Sequence, residues 1–153
     1  MRKVRNSKGY TTLELLIALG ILAILAGLGL TWYREYITAQ RITSETQRLE
    51  IVLKDIQVQA KVKKQSYYVE VENKNLEVYF SNGTLFKVYR FLVPLEANPD
   101  TFYVNNFGLF TTQGYIRVAY NNSKASLDCV SISRLRVCTG KFDPTANKCV
   151  CSY

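Results

Sequence analysis

The chain contains no histidine. That removes the commonest general base at neutral pH and the commonest zinc ligand. No nucleophile, base or metal-ligand constellation stands out among the remaining residues. The expectation is a protein that is not an enzyme and carries no cofactor or metal. Cysteine is absent until position 129, and all four copies fall in the last 25 residues. Acidic residues are absent from the first nine positions, and charge of either sign is absent from 15–30. Repeats and low-complexity tracts are absent too.

What is present is enough for one folded domain. The 153 residues are 48% hydrophobic and 12% aromatic, which places the chain among folded rather than disordered proteins. The net charge of +8 is uneven. Arg2, Lys3, Arg5 and Lys8 supply four of the 20 basic residues, leaving 16 basic against 12 acidic, or +4, for the rest. Residues 124–153 hold five basic and two acidic residues, so +3 of that +4 sits at the C-terminal end. A mildly basic end is one a polyanion can use.

The apolar run from 15–30, extended by Tyr10, Thr11 and Thr12 and by Thr31, Trp32 and Tyr33, is long enough to cross a bilayer as a helix. Basic residues precede it and the near-neutral pair Arg34-Glu35 follows. That asymmetry predicts residues 1–9 in the cytoplasm and the remainder outside. A secretory signal peptide would show small-residue cleavage sites after the run. Here Trp32, Tyr33, Arg34 and Glu35 lead into more helix-patterned sequence. An ordinary anchor would not need Glu14 in its apolar run. A carboxylate deep in a bilayer costs roughly 2.5–3.5 kcal/mol on insertion scales. A cut between Gly9 and Tyr10 would create an α-amine four residues from Glu14, cationic at neutral pH. In bundled helices, Glu14 of one copy can then meet the amine of its neighbour, cancelling two charges and setting axial register.

The run G-Y-T-T-L-E-L-L-I-A-L-G-I-L-A, with Gly9, Thr11, Leu13, Glu14 and Leu15 at its key positions, resembles the class III signal of type IV pilins and type II secretion pseudopilins. The resemblance implies cleavage after Gly9 by a membrane prepilin peptidase and N-methylation of Tyr10. Glu14 then serves assembly. It implies localisation in a bacterial inner membrane as a single-pass protein, with the C-terminal domain outside the cytoplasm. A periplasmic or extracellular filament follows on assembly. The implied partners are other pilin or pseudopilin subunits, the peptidase, and an assembly platform and ATPase. The sequence departs from the family at Tyr10, where Phe or Met is usual, and at Thr31, where Pro is common.

From 34–64 the period is helical. Ile42, Leu49, Leu53, Ile56 and Ala60 recur at spacings of seven, four, three and four, with Arg41, Glu45, Arg48, Lys54 and Asp55 mostly off that stripe. Lys61, Lys63 and Lys64 gather at the end, where cations suit a helix C-terminus. After Ser66 the period falls to two. Strands are expected at 67–71, 76–80, 85–93, 102–104, 109–112, 115–120, 127–132 and 135–137, with turns at 72–75 and 82–83 and a loop at 94–100. The expected fold is α+β and pilin-like: leader 1–9, apolar helix 10–33, amphipathic helix 34–64, and a β-rich domain 65–153. The tyrosines at 67, 68, 79, 89, 103, 115 and 120 are expected in cross-strand packing.

The order of elements also looks like the H-type pseudopilin and T-type minor pilin group. The matching segments are Lys61-Val62-Lys63-Lys64-Gln65, then Phe107-Gly108 through Gly114-Tyr115-Ile116-Arg117-Val118, then a closing Gly-Arg-x-Arg strand. Here the last reads Ser133-Arg134-Leu135-Arg136, with Ser133 in place of Gly. In DNA-uptake members such a pair is implied in phosphate contact. On a strand, Arg134 and Arg136 would share a face, and guanidinium groups suit phosphate. Lys124, Lys141 and Lys148 would widen the patch. Cys129, Cys138, Cys149 and Cys151 are expected to form disulfides. Cys149 and Cys151 are too close to pair with each other, so two connectivities remain. Each ties the tail 140–153 back to the last strands and contributes roughly 2–4 kcal/mol per closed loop.

Overall fold

A computed structural model describes residues 11–120 and 124–152. The expectations at Gly9 and Tyr10 fall outside the described residues. The architecture is α+β. One helix, α1 (Thr12–Lys63, 52 residues), is followed by nine strands in two antiparallel sheets. The chain divides into two compact units, one ending at Ile37 and the other beginning at Thr38.

In the first unit the helix has no core of its own. From Leu13 to Leu30 its large apolar side chains, among the described ones, stand 54–66% exposed. At 1.5 Å per residue, the helix from 12 to 37 covers about 39 Å, against roughly 30 Å of bilayer hydrocarbon. It is long and apolar enough to cross a membrane.

In the second unit the same helix becomes the spine of a packed domain. The stripe Ile42, Leu49, Leu53, Ile56 and Ala60 is buried along its whole length, at 0–3% exposure. Val52, Glu45 and Thr46 join it on the buried face. The helix stops because Lys64 turns left-handed (φ 54°) and the Gln65 N–H reaches back to the Ala60 carbonyl at 3.1 Å. That is a Schellman-type C-cap built on Lys rather than Gly. Lys61 and Lys63 occupy the last turn, where they face the negative end of the helix dipole.

The first sheet runs β3 (Leu85–Arg90), β2 (Asn75–Phe80), β1 (Tyr67–Glu72), β5 (Thr101–Val104). The second runs β4 (Leu95–Asn98), β6 (Gly114–Val118), β7 (Cys129–Ile132), β8 (Val137–Asp143), β9 (Lys148–Cys151). Alternate residues point inward, as period two requires. Tyr67, Val69, Leu76, Val78, Phe102 and Val104 from one sheet and Ile116, Val130, Ile132 and Val137 from the other meet the helix stripe in one hydrophobic core.

Several expected boundaries move. The strand expected at 85–93 ends at Arg90, because Phe91 and Val93 turn into the core beside the helix. The expected loop 94–100 contains β4, which pairs with β6 and is bracketed by Pro94 and Pro99. An edge position spares those prolines any ladder bond. The strand expected at 109–112 reduces to one bridge, Val104 to Phe110. There the Asn105 side chain accepts from the Phe107 and Leu109 N–H groups and ties the chain into a turn. The strands expected at 115–120 and 127–132 are β6 and the shorter β7. The strand expected at 135–137 is replaced by a tight turn, and strand structure resumes only at Val137. The tail forms two paired strands, β8 and β9.

Candidate functional site

Glu14 lies in the first turn of α1, three residues after Thr11. Its carboxylate accepts from the Thr11 N–H at 3.2 Å and lies 3.4 Å from the Thr11 hydroxyl, while the Glu14 N–H donates to that hydroxyl at 3.2 Å. This is a capping box, T-x-x-E, which satisfies donors that a helix start leaves open. Sequence reasoning gave Glu14 an intermolecular role and missed this local one, although the spacing Thr11-Thr12-Leu13-Glu14 carries the signal.

The arginines expected on a strand face lie in a turn. Ser133 and Arg136 close it through a backbone bond of 2.9 Å, leaving Arg134 and Leu135 at the tip of the β7–β8 hairpin. Leu135 is 78% exposed, between two exposed arginines. The Arg134 carbonyl accepts from the Phe110 N–H at 3.2 Å, so the tip leans on the 105–110 loop. That loop packs on the helix. Gly108 has φ +76° and no room for a side chain, since a Cβ would meet the Gln57 carbonyl oxygen at 2.5 Å. The Gln57 amide donates to the Gly108 carbonyl at 3.1 Å.

Lys141 does not join the arginines. It sits beyond Gly140, at the opposite end of the β7–β8 pair, where Cys129 faces Gly140. Six residues of strand separate that end from the tip, about 20 Å. The Lys141 ammonium is held by Asp128 at 2.7 Å and by the Ala125 carbonyl at 2.8 Å. Lys124 neighbours Ala125 at the same end, and Lys148 lies on β9 opposite Asp143. The broad lysine-widened patch expected from the sequence is therefore split. Of the helix-end lysines, Lys61 lies beside the Gly108 loop, while the Lys63 ammonium sits over the Phe86 ring on β3, at the far edge of the first sheet. The segments 61–66, 104–113 and 132–137 contain no acidic residue.

Two disulfides close the tail, Cys129–Cys149 and Cys138–Cys151. The first joins β7 to β9 across β8. Strands two apart in a flat sheet lie roughly 9.6 Å from one another, yet these Cα atoms are 5.9 Å apart. Gly140, facing Cys129 in β8, lets the backbones close in; a Cβ there would lie 1.9 Å from the Val150 carbonyl oxygen.

Two carboxylates organise neighbouring groups. Glu45, buried at 7% exposure, accepts from the Leu92 N–H at 3.1 Å and from Arg48 at 3.5 Å, and so fixes the bend after β3. Asp143 accepts from the Thr145 hydroxyl and from the Thr145 and Ala146 N–H groups, which hold its carboxyl below the ordinary carboxylate range. The Tyr79 hydroxyl donates to Glu77, which, with burial and the charges of Glu77, Glu70 and Glu72, pushes its pKa up to about 12. The Tyr67 hydroxyl is buried with no hydrogen-bond partner among the described residues. Among the described residues, no group of three or more His, Cys, Asp or Glu is placed to hold a metal ion.

Comparison with protein-family models, curated proteins and solved structures gives no match to this chain.

Proposed function

We propose that the protein is a minor pilin or pseudopilin: a structural subunit, not an enzyme, of a type IV pilus or type II secretion pseudopilus. The observation that supports this most is the division of labour along one helix. Its front is apolar, exposed and marked by Glu14 at its first turn; its back is the core of a disulfide-stapled β-domain. A front of that kind requires apolar surroundings, first a bilayer and then other copies of the same helix. In this reading the prepilin peptidase removes 1–9 and methylates Tyr10. The subunit waits in the inner membrane until an assembly ATPase and platform protein lift it into a filament. Glu14 then pairs with the α-amine of a neighbouring subunit.

The deciding measurement is the intact mass of the protein from cells with and without the peptidase. The expected mature species begins at Tyr10 and carries one methyl group; an unprocessed chain in both strains, or a cut after Leu30, overturns the reading. Glu14→Gln then separates the two roles of that residue. Gln serves a capping box as Glu does, so the helix is kept while the charge is lost. Processed subunits that no longer enter sheared filaments are expected. Normal assembly would leave Glu14 as a helix cap alone.

A second reading is a DNA-binding minor pilin, favoured by the acid-free hairpin tip that carries Arg134 and Arg136. Its affinity for duplex DNA would fall steeply with salt and fall further with Arg134→Ala and Arg136→Ala combined. Binding untouched by the double change removes that reading.

A further inference from the structure

The outer face of the first sheet is a continuous strand surface that the proposed function leaves unused. On β1, Tyr68, Glu70 and Glu72 alternate with the inward Tyr67, Val69 and Val71. On β2, Glu77 and Tyr79 alternate with the buried Leu76 and Val78. Register aligns Tyr79, Tyr68 and Tyr103 in a row across three strands, with the Tyr68 and Tyr103 rings 4.8 Å apart. The next row holds Glu77 opposite Glu70, followed on β5 by Thr101. Like charges directly opposite each other destabilise a sheet, so this face is improved by any cation placed on it. The cations near it are at one corner, where Arg90 is in register with Asn75 and Lys74 sits in the β1–β2 turn.

The same chain carries a surface that complements it. The β7–β8 tip presents Arg134 and the 78%-exposed Leu135 on an end whose segments contain no acid. A guanidinium stacks on tyrosine rings and pairs with carboxylates, and a leucine packs on the same rings. Phosphate would use the arginine and leave the leucine in water. Within one copy the tip lies beyond the β5 edge. The 110–112 segment stands between them, bonded to Tyr103 on one side and to Arg134 on the other. The tip thus neighbours the β5 edge of that face, an arrangement suited to copies set side by side.

We propose that the tyrosine-row face of one copy, Tyr68, Tyr79 and Tyr103 with Glu70 and Glu77, receives the Arg134-Leu135 tip of a second copy. This contact goes beyond the helix-driven assembly proposed above and stands on the surface chemistry of the second unit alone.

The test uses full-length chains in detergent micelles, mixed as two differently tagged populations. One carries Tyr68→Cys and the other Leu135→Cys, and mild oxidation follows. A disulfide-linked heterodimer is expected. Arg134→Glu on the tip chain lowers its yield at least tenfold, as does Glu70→Lys with Glu77→Lys on the face chain. Combining the two reversals restores it, which a merely misfolded variant would not do. No cross-link with native charges, or a yield indifferent to reversal, overturns the proposal. So does a tip that loses affinity for duplex DNA on Arg134→Glu while the cross-link persists. Repeating the mixture with Glu14→Gln in both chains keeps the outcomes apart: the cross-link is expected to survive even where filament assembly fails.

Discussion

Residues 12–37 and residues 38–63 belong to one helix, yet they solve opposite problems. The first stretch leaves nearly every large apolar side chain more than half exposed, while the second hides a complete stripe at 0–3%. Backbone hydrogen bonding is the same in both, so local helix propensity does not separate them. What separates them is the solvent each requires. Fully burying a leucine contributes about 1.5–3 kcal/mol. The second stretch gains that from its own β-sheets and the first must find it outside the chain. A helix uniform in conformation is thereby divided into a part that folds a domain and a part that needs a membrane or a bundle.

That contrast is sharpest in paired leucine truncations. Leu53 is fully buried in the core, and Leu22 is 61% exposed. Leu53→Ala removes contacts and opens a cavity, at a cost of about 2–5 kcal/mol in chemical denaturation of the second unit. Leu22→Ala is expected to leave the same transition within about 0.5 kcal/mol, while weakening partition into vesicles or micelles. If Leu22→Ala shifts the denaturation midpoint as far as Leu53→Ala does, the division into two regimes is wrong.

Much of this division is legible in the sequence, because both halves are written in periodicity. A charge-free run from 15–30 and a seven-four-three-four stripe need no tertiary information. The misreadings cluster where position in the fold overrides local pattern. Its charge sets Glu45 off the apolar stripe, although it stands three residues after Ile42 and four before Leu49. The fold buries it to bind the Leu92 N–H. The pattern predicts a loop at 94–100, where the fold sets β4 between Pro94 and Pro99, harmless there because the strand lies at a sheet edge. The Ser133-Arg134-Leu135-Arg136 turn contains no Gly, Pro, Asn or Asp, so Ser133 at its first position is the one weak signal of a reversal. The split of the basic patch follows from strand register, which no spacing along the chain reveals. In the tail, the closeness of Cys149 and Cys151 leaves two pairings, and the fold chooses between them.

Cystine content distinguishes the regions a second time. Both bridges lie in the second unit, and both fasten β9 to the strands before it. Replacing Cys129 and Cys149 together by Ser is expected to destabilise that unit by about 2–4 kcal/mol, read as a lowered midpoint in urea. The membrane affinity of the first unit is expected to stay as it was. A variant that loses micelle binding along with its midpoint would mean that the two regions do not act separately.

The smallest expected effects come from pH, and they concern only the second unit. Asp143 is held below the ordinary carboxylate range by bonds from Thr145 and Ala146. A depressed pKa means a stabilising contribution that is present above the unfolded-state value and lost as pH falls through the folded one. The β8–β9 hairpin should therefore loosen on the acid side, seen as faster amide exchange at Thr145 and Ala146, and Asp143→Asn should flatten that response. Tyr79 runs the other way, because its folded pKa is raised to about 12 by Glu77 and its neighbours. Its contribution is present below the ordinary tyrosine value and fades as pH climbs from there through about 12. An ultraviolet titration should show Tyr79 ionising late, beside the buried Tyr67, which burial also pushes up, and Glu77→Gln should bring Tyr79 back toward the exposed tyrosines. If it ionises with the others in the native chain, the carboxylates are not gathered against that tyrosine. The face proposed to receive a cationic tip would then lose much of its charge contrast.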